Sequence, residues 1–169
     1  EGLLFEGAGT DLCLYSSEFD NAAWLKARSN VTANAITAPD GTLTADKLVE
    51  DSTNNTHPMY KSSFTVTAGA TYTLSIFAKE GERSKVRLNP INGGSVSGFD
   101  LTDKSVDLGV GEISVQSDGW VRCSTTWFAT TASQEIYIEP RDAVGATSYL
   151  GDGASGIYIW GAQVEAGSA

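Results

Sequence analysis

The chain has 169 residues, 19% of them charged, and a formal net charge of −10. That length suits one domain and is enough to bury a core without staples. The acidity is spread along the chain and excludes the basic patch that nucleic acid or an anionic membrane surface requires, and no apolar run approaches the roughly 20 residues of a membrane span.

Residues 1–11, opening EGLLFEGAGT, read as the linker or tail of a preceding region, as in a domain cut from a longer polypeptide. Residues 12–15 read as a first strand, 17–24 (SEFDNAAW) as a loop or short helical turn, and 30–36 as a strand. APDG at 38–41 is a turn by its Pro and Gly chemistry. A strand follows at 45–50, then a polar loop at 51–58. The segment 60–66 leads through Ala68, Gly69 and Ala70 into the clearest pattern of the chain. There, hydrophobic residues alternate with polar ones over 72–79, 85–91, 121–127, 135–141 and 157–164. Shorter strands are expected at 99–101 and 113–115, a long polar loop at 142–156, and a small-residue tail at 166–169. No window shows a helical period. Strands at this spacing, with turn residues between them, predict an all-β antiparallel sandwich forming one module over 12–165. Cys13 and Cys123 sit in strand-like apolar settings and read as buried thiols; sequence alone does not show whether they pair.

In order, DLCLYSSEFDNAAW, ADKLVED, SFTVTAGATYTLSIFAKEG, DGWVRCSTTWFAT and SGIYIWGAQVEAG resemble the jelly-roll carbohydrate-binding modules of the galactose-binding-like superfamily, near the family 4/9/22 type. Within that group the chain is most similar to the versions found in phage tail and head-fibre proteins. The resemblance spans about 12–165. It implies jelly-roll topology, no catalysis, and a glycan held on one sheet or on the loops at its edge. It also implies an extracellular or virion location and a parent polypeptide or virion subunits as neighbours. No cofactor is required by it, but related modules often carry a structural calcium. Asp20, Glu18 and Glu165 are the candidate ligands here, although the last strand has Trp160 and Gly161 where relatives offer a carboxylate.

Alternation sorts each strand into two faces. Tyr72, Leu74, Ile76 and Ala78 point inward, and Phe77 and Lys79 outward. On the other strands Arg87, Asn89, Tyr137, Glu139 and Arg141 point outward. If the topology is a jelly roll, the strands after the 51–58 loop, at 85–91 and at 135–141 share a sheet, which gathers these residues on one surface. The rim would be 57–61, with His57, Met59, Tyr60 and Lys61. Rings cover the C–H faces of a sugar, and planar Arg, Asn and Glu groups bond its hydroxyls. Tyr60 shares parity with Phe64 and Val66, which places it in the core unless a bulge intervenes. Tyr149, in the 142–156 loop, is the exposed aromatic expected there. Trp127 and Trp160 read as packed, Trp24 as buried after the first loop, and Trp120 as covering one end of the sandwich.

His57 is the only histidine, and no nucleophile signature accompanies it. The expected function is therefore non-catalytic binding of an oligo- or polysaccharide, with no nucleic acid or membrane partner. The alternative is a structural domain of a virion fibre that contacts neighbouring subunits. Arginines on the face favour acidic sugars and the net charge disfavours them, so the sugar class stays open.

Overall fold

The computed structural model describes residues 11–167. The expected upstream segment, Asp11 excepted, and residues 168–169 lie outside the described residues. The strands are β1 (Leu25–Lys26), β2 (Ser29–Ile36), β3 (Ala45–Glu50), β4 (Asn54–Asn55), β5 (Met59–Thr65), β6 (Thr71–Lys79), β7 (Lys85–Ile91) and β8 (Ser97–Asp100). They continue as β9 (Ser105–Leu108), β10 (Glu112–Val115), β11 (Val121–Phe128), β12 (Ser133–Arg141), β13 (Tyr149–Leu150) and β14 (Gly156–Ala166). Two six-stranded antiparallel sheets face each other, in the orders β1-β5-β12-β7-β8-β9 and β10-β11-β6-β14-β3-β2. Leaving aside the short β4–β13 pair, the chain changes sheet seven times, after β1, β3, β5, β6, β9, β11 and β12, so it wraps the core as a jelly roll.

The inward residues of the alternating strands form that core. Leu74, Ile76, Val86, Leu88, Ile136, Ile138, Ile157 and Ile159 are all at 0% exposure. Each such side chain contributes roughly 1.5–3 kcal/mol by leaving water. Phe19 and Trp24 pack edge to face, at 5.2 Å and 63°. Trp127 is also core, its indole N–H donating to Gln134 Oε1 at 3.1 Å. Both cysteines are buried and unpaired. Burial pushes the Cys13 thiol up to about 12 and raises Cys123 as well, so neither is a reactive thiolate at neutral pH.

Several expectations are corrected. Residues 12–15 are not a strand. They run beside β14, with the Leu12 N–H donating to Val164 O at 2.9 Å, but the Asp11 carboxylate takes the Cys13 N–H at 2.8 Å and Tyr15 has φ +61. The ladder cannot continue through that turn. The tail expected from 166 is still strand at Ala166, and the Gly167 N–H donates to Thr71 O at 2.8 Å. Trp120 does not cap an end of the sandwich; it is buried on the outer side of the second sheet, with Ala38 and Ala45. Trp160 lies beside it on that face, half-buried rather than in the core.

Candidate functional site

Strand register builds the outer face of the first sheet row by row. One row reads Leu25, Tyr60, Tyr137, Asn89 across β1, β5, β12 and β7. The next reads Glu139, Arg87, Gly98, Leu108 across β12, β7, β8 and β9. The third reads Arg141, Lys85, Asp100, Ser105. Five of the expected residues, Tyr60, Arg87, Asn89, Tyr137 and Glu139, thus share two adjacent rows, and Arg141 stands in the third.

Tyr60 reaches this face because β5 carries a bulge. Its register against β12 slips between Lys61 and Phe64, and Ser63 sits there with φ +59. One extra residue reverses parity, so Phe64 packs toward the core while Tyr60 points outward. The Tyr60 and Tyr137 rings stack at 4.7 Å and 9°. That spacing matches neighbouring strands, so the rings rise from the sheet side by side. The Tyr137 hydroxyl donates to Glu135 Oε2 at 3.2 Å.

The charges of the face are bonded to one another. Arg87 Nε donates to Glu139 Oε2 at 2.6 Å, and Arg141 Nη1 to Asp107 Oδ1 at 2.6 Å. Lys85 Nζ bridges Asp100 at 2.5 Å and Asp107 at 2.9 Å. Glu139 is only 3% exposed; burial pushes its carboxyl above the ordinary value, and Arg87 opposes that rise. Among the described residues no donor reaches Glu139 Oε1, which leaves one oxygen for a ligand hydroxyl. Arg141 is 6% exposed, with Nε donating to Gly145 O at 2.8 Å, so two of its donor nitrogens are spent within the fold. Gly98 makes this possible, since a methyl there would collide with the Arg141 guanidinium and the Asp107 carboxylate.

Tyr60 excepted, the expected rim residues fall elsewhere, and so does Tyr149. His57 is fully buried, its Nδ1 at 2.8 Å from Arg28 O and 3.2 Å from Asp51 Oδ1, and its Nε2 at 3.3 Å from Tyr149 O. Tyr149 is not exposed: it is 7% accessible and donates its hydroxyl to the buried Glu50 at 2.8 Å. The reason is that β13 pairs with β4 and folds the 142–156 segment back on the sandwich. Met59 is core, and Lys61 turns to the other side, with Nζ donating to Leu14 O at 2.8 Å and lying 5.3 Å from the Trp24 ring centroid.

The calcium ligands do not assemble. Among the described residues no three His, Cys, Asp or Glu side chains group as a metal centre would need. Glu165 pairs with Thr73 near the end of β14, whereas Glu18 and Asp20 flank Phe19 in the first loop. The Asp20 carboxylate already faces a cation, the Lys26 ammonium, which donates to Asn21 O at 3.0 Å with Asp20 and Asp46 as its charged neighbours. The Asp46 carboxylate is used by the N–H groups of Phe19 and Asn34, at 3.0 and 2.8 Å. This residue set does not fit calcium, which wants six to eight oxygens.

Sequence reasoning missed Asp107 and Gly98, because the short strands β8 and β9 show no alternation strong enough to assign their faces.

No protein-family model matches the sequence, and no curated protein matches it. The fold does match solved structures. The CBM22-1 xylan-binding domain of Paenibacillus barcinonensis Xyn10C superposes with a TM-score of 0.53 at 13% identity, over 96% of this chain and 97% of that one. The CBM22-1–GH10 modules of Clostridium thermocellum endo-1,4-β-D-xylanase Xyn10B, complexed with xylohexaose, give 0.54 at 15%, over 91% of this chain. The enzymatically active domain of tailspike protein 4 of bacteriophage CBA120 gives 0.55 at 10%, over 92%. This chain spans 27% of the xylanase structure and 21% of the tailspike structure. The architecture is therefore the jelly-roll sandwich of carbohydrate-binding modules, and at these identities the likeness is one of fold.

Proposed function

We propose that this protein is a non-catalytic carbohydrate-binding module that holds a neutral oligo- or polysaccharide on the outer face of its first sheet. The observation that carries this reading is the adjacency of the Tyr60–Tyr137 stack and the Arg87–Glu139 pair in neighbouring rows. The first offers ring surface to sugar C–H groups, and the second offers fixed donors and acceptors to hydroxyls. Asn89 ends the tyrosine row and adds an amide of both kinds.

The class of sugar follows from charge. Arg87, Lys85 and Arg141 are each committed to resident carboxylates, and Glu135 adds a further anion beside Tyr137. A uronate would have to displace one of these carboxylates, whereas a neutral sugar needs no free cation. Asp100, Asp107 and Glu139 on the face each sit against a basic partner rather than forming the free carboxylate pair that glycoside hydrolysis uses, which supports binding without turnover. The shared fold with a xylan-binding domain supports a glycan as partner, and the shared fold with a tailspike domain supports a phage virion as one setting. The module would work outside cells or on a virion, within a larger polypeptide.

A glycan array probed with the multivalently displayed protein tests this, since display makes weak single sites visible. Hits among neutral glycans that vanish in Arg87→Ala establish the module and locate its face. A blank array across plant, algal and bacterial glycans sinks the reading and favours a structural domain that contacts other subunits.

A further inference from the structure

The outer face of the second sheet carries aromatic rings where an antiparallel sheet usually shows polar side chains to water. Register lines up Arg122, Phe77 and Trp160 in one row and Lys79, Tyr158 and Lys47 in the next. Phe77 and Trp160 meet edge to face at 5.5 Å. Between the loop that follows β2 and the turn at Ser117–Gly119 lies a groove of about 500 Å³, lined by Ile36, Thr37, Lys79, Asp118, Trp120 and Tyr158. That volume falls within the roughly 300–1,000 Å³ typical of small-molecule sites.

The polar groups of this groove differ from those of the first sheet in being unused. The chain has four tryptophans. Three donate their indole N–H internally: Trp24 to Tyr15 O at 3.0 Å, Trp127 to Gln134 Oε1 at 3.1 Å and Trp160 to Thr44 Oγ1 at 3.1 Å. Trp120 has no such acceptor among the described residues, although it is only 1% exposed. No fully buried side-chain nitrogen or oxygen is left unpartnered among those residues, so the Trp120 nitrogen keeps access to solvent, and the groove is the opening that Trp120 lines. Lys79, Asp118 and the Tyr158 hydroxyl likewise take part in no ion pair or side-chain hydrogen bond among the described residues. The groove thus offers an indole donor, an ammonium, a carboxylate and a phenol around apolar walls, with no net charge.

We infer that this groove is a second sugar site, on the sheet opposite the first, which takes one neutral pyranose ring or the end of a chain. Tyr158 and Ile36 face the C–H surface, Trp120 Nε1–H and Lys79 donate to hydroxyls, and Asp118 accepts from them.

The test uses the whole chain with ¹⁵N-labelled tryptophan, titrated with methyl β-D-xylopyranoside, methyl β-D-glucopyranoside and methyl β-D-galactopyranoside. At least one glycoside shifts the Trp120 indole signal saturably, while the Trp24 and Trp127 signals stay in place. Lys79→Ala and Asp118→Asn, both surface changes, weaken that titration about two- to tenfold, the equivalent of one hydrogen bond each. Tyr60→Ala, on the opposite sheet, leaves it unchanged, so the two faces succeed or fail separately. A Trp120 signal that stays still, or drifts linearly, with all three glycosides overturns the inference. So does a saturable shift that neither Lys79→Ala nor Asp118→Asn weakens.

Discussion

Tyr60 and Tyr137 stack almost parallel, 4.7 Å between centroids, although strict alternation along β5 would put Tyr60 in the core. The pair exists because Ser63 holds a left-handed conformation in the bulge between Tyr60 and Phe64. A non-glycine residue in that conformation costs about 1–2 kcal/mol. Ser63→Gly should relieve part of this and leave stability unchanged or raised by up to about 1 kcal/mol. Deleting Ser63 removes the extra residue and sets Tyr60 and Phe64 in conflict over one face, so stability falls by at least about 2 kcal/mol. Thermal melts of the two variants check this, and equal melting points would contradict it.

Tyr137→Ala should abolish glycan retention in affinity electrophoresis. The melt should fall only modestly, since an aromatic pair contributes about 0.5–1.5 kcal/mol beyond its buried area. Tyr137→Phe keeps the ring and should keep retention. Retention by the alanine variant would remove the stack from the site.

Arg87→Ala leaves the Glu139 carboxylate buried without its partner. We expect a loss of about 2 kcal/mol at neutral pH, below the usual figure for a buried pair because 23% of the Arg87 side chain is exposed. In wild type, burial already raises the Glu139 carboxyl above 4.5, and without Arg87 it rises further. A carboxyl raised in the folded state stabilises the fold fully below its unfolded pKa, and that contribution is lost as pH rises through the folded value. The deficit of Arg87→Ala relative to wild type should therefore shrink as pH falls toward 4.5. Urea unfolding at a series of pH values reads this, and a deficit independent of pH would exclude Glu139 as its source.

Gly98→Ala drives a methyl into the Arg141–Asp107 pair. The pair must open or the strand must shift, at about 1–3 kcal/mol, and glycan retention should drop with it because Arg87 is the register partner of Gly98. Reversal in the double variant Gly98→Ala/Arg141→Ala, measured by melting point, would attribute the cost to this collision; additivity would not.

Glu50 tests the framework away from both faces. It is buried, accepts from Arg83 Nε at 2.8 Å and from the Tyr149 hydroxyl at 2.8 Å, and takes the Asp152 N–H at 3.0 Å. Glu50→Ala strands the Arg83 charge and should cost about 3–5 kcal/mol. Calorimetry checks the cost. The first sheet's glycan retention should persist below the lowered melting point.

The long strands were legible because their alternation is strong: TYTLSIFAK and EIYIEPR each have only one inward face that makes sense. Register then did what parity alone could not, placing Arg87 opposite Glu139 and Tyr137 opposite Asn89. Tyr60 was ambiguous because one bulge residue reverses a face and Ser63 carries no mark of it. His57 and Tyr149 were misplaced for a different reason. A polar loop reads as exposed, yet β4 and β13 pair and draw both rings into a buried hydrogen-bonded group around Glu50 and Arg28. Asp46 and Glu50 share parity with Leu48, and each finds donors at an end of the core. Local pattern does not show which inward carboxylates will be so satisfied.

The pairing of Lys85, Arg87 and Arg141 with carboxylates on the first face has a practical meaning. Sodium chloride competes with ligands held by unpaired charge, and here it has little to compete for. A column of immobilised glycan should keep this protein through a salt gradient and release it to free sugar. In salt-rich surroundings, where charge-driven adhesion fails, such a surface would go on holding the polysaccharide proposed for it.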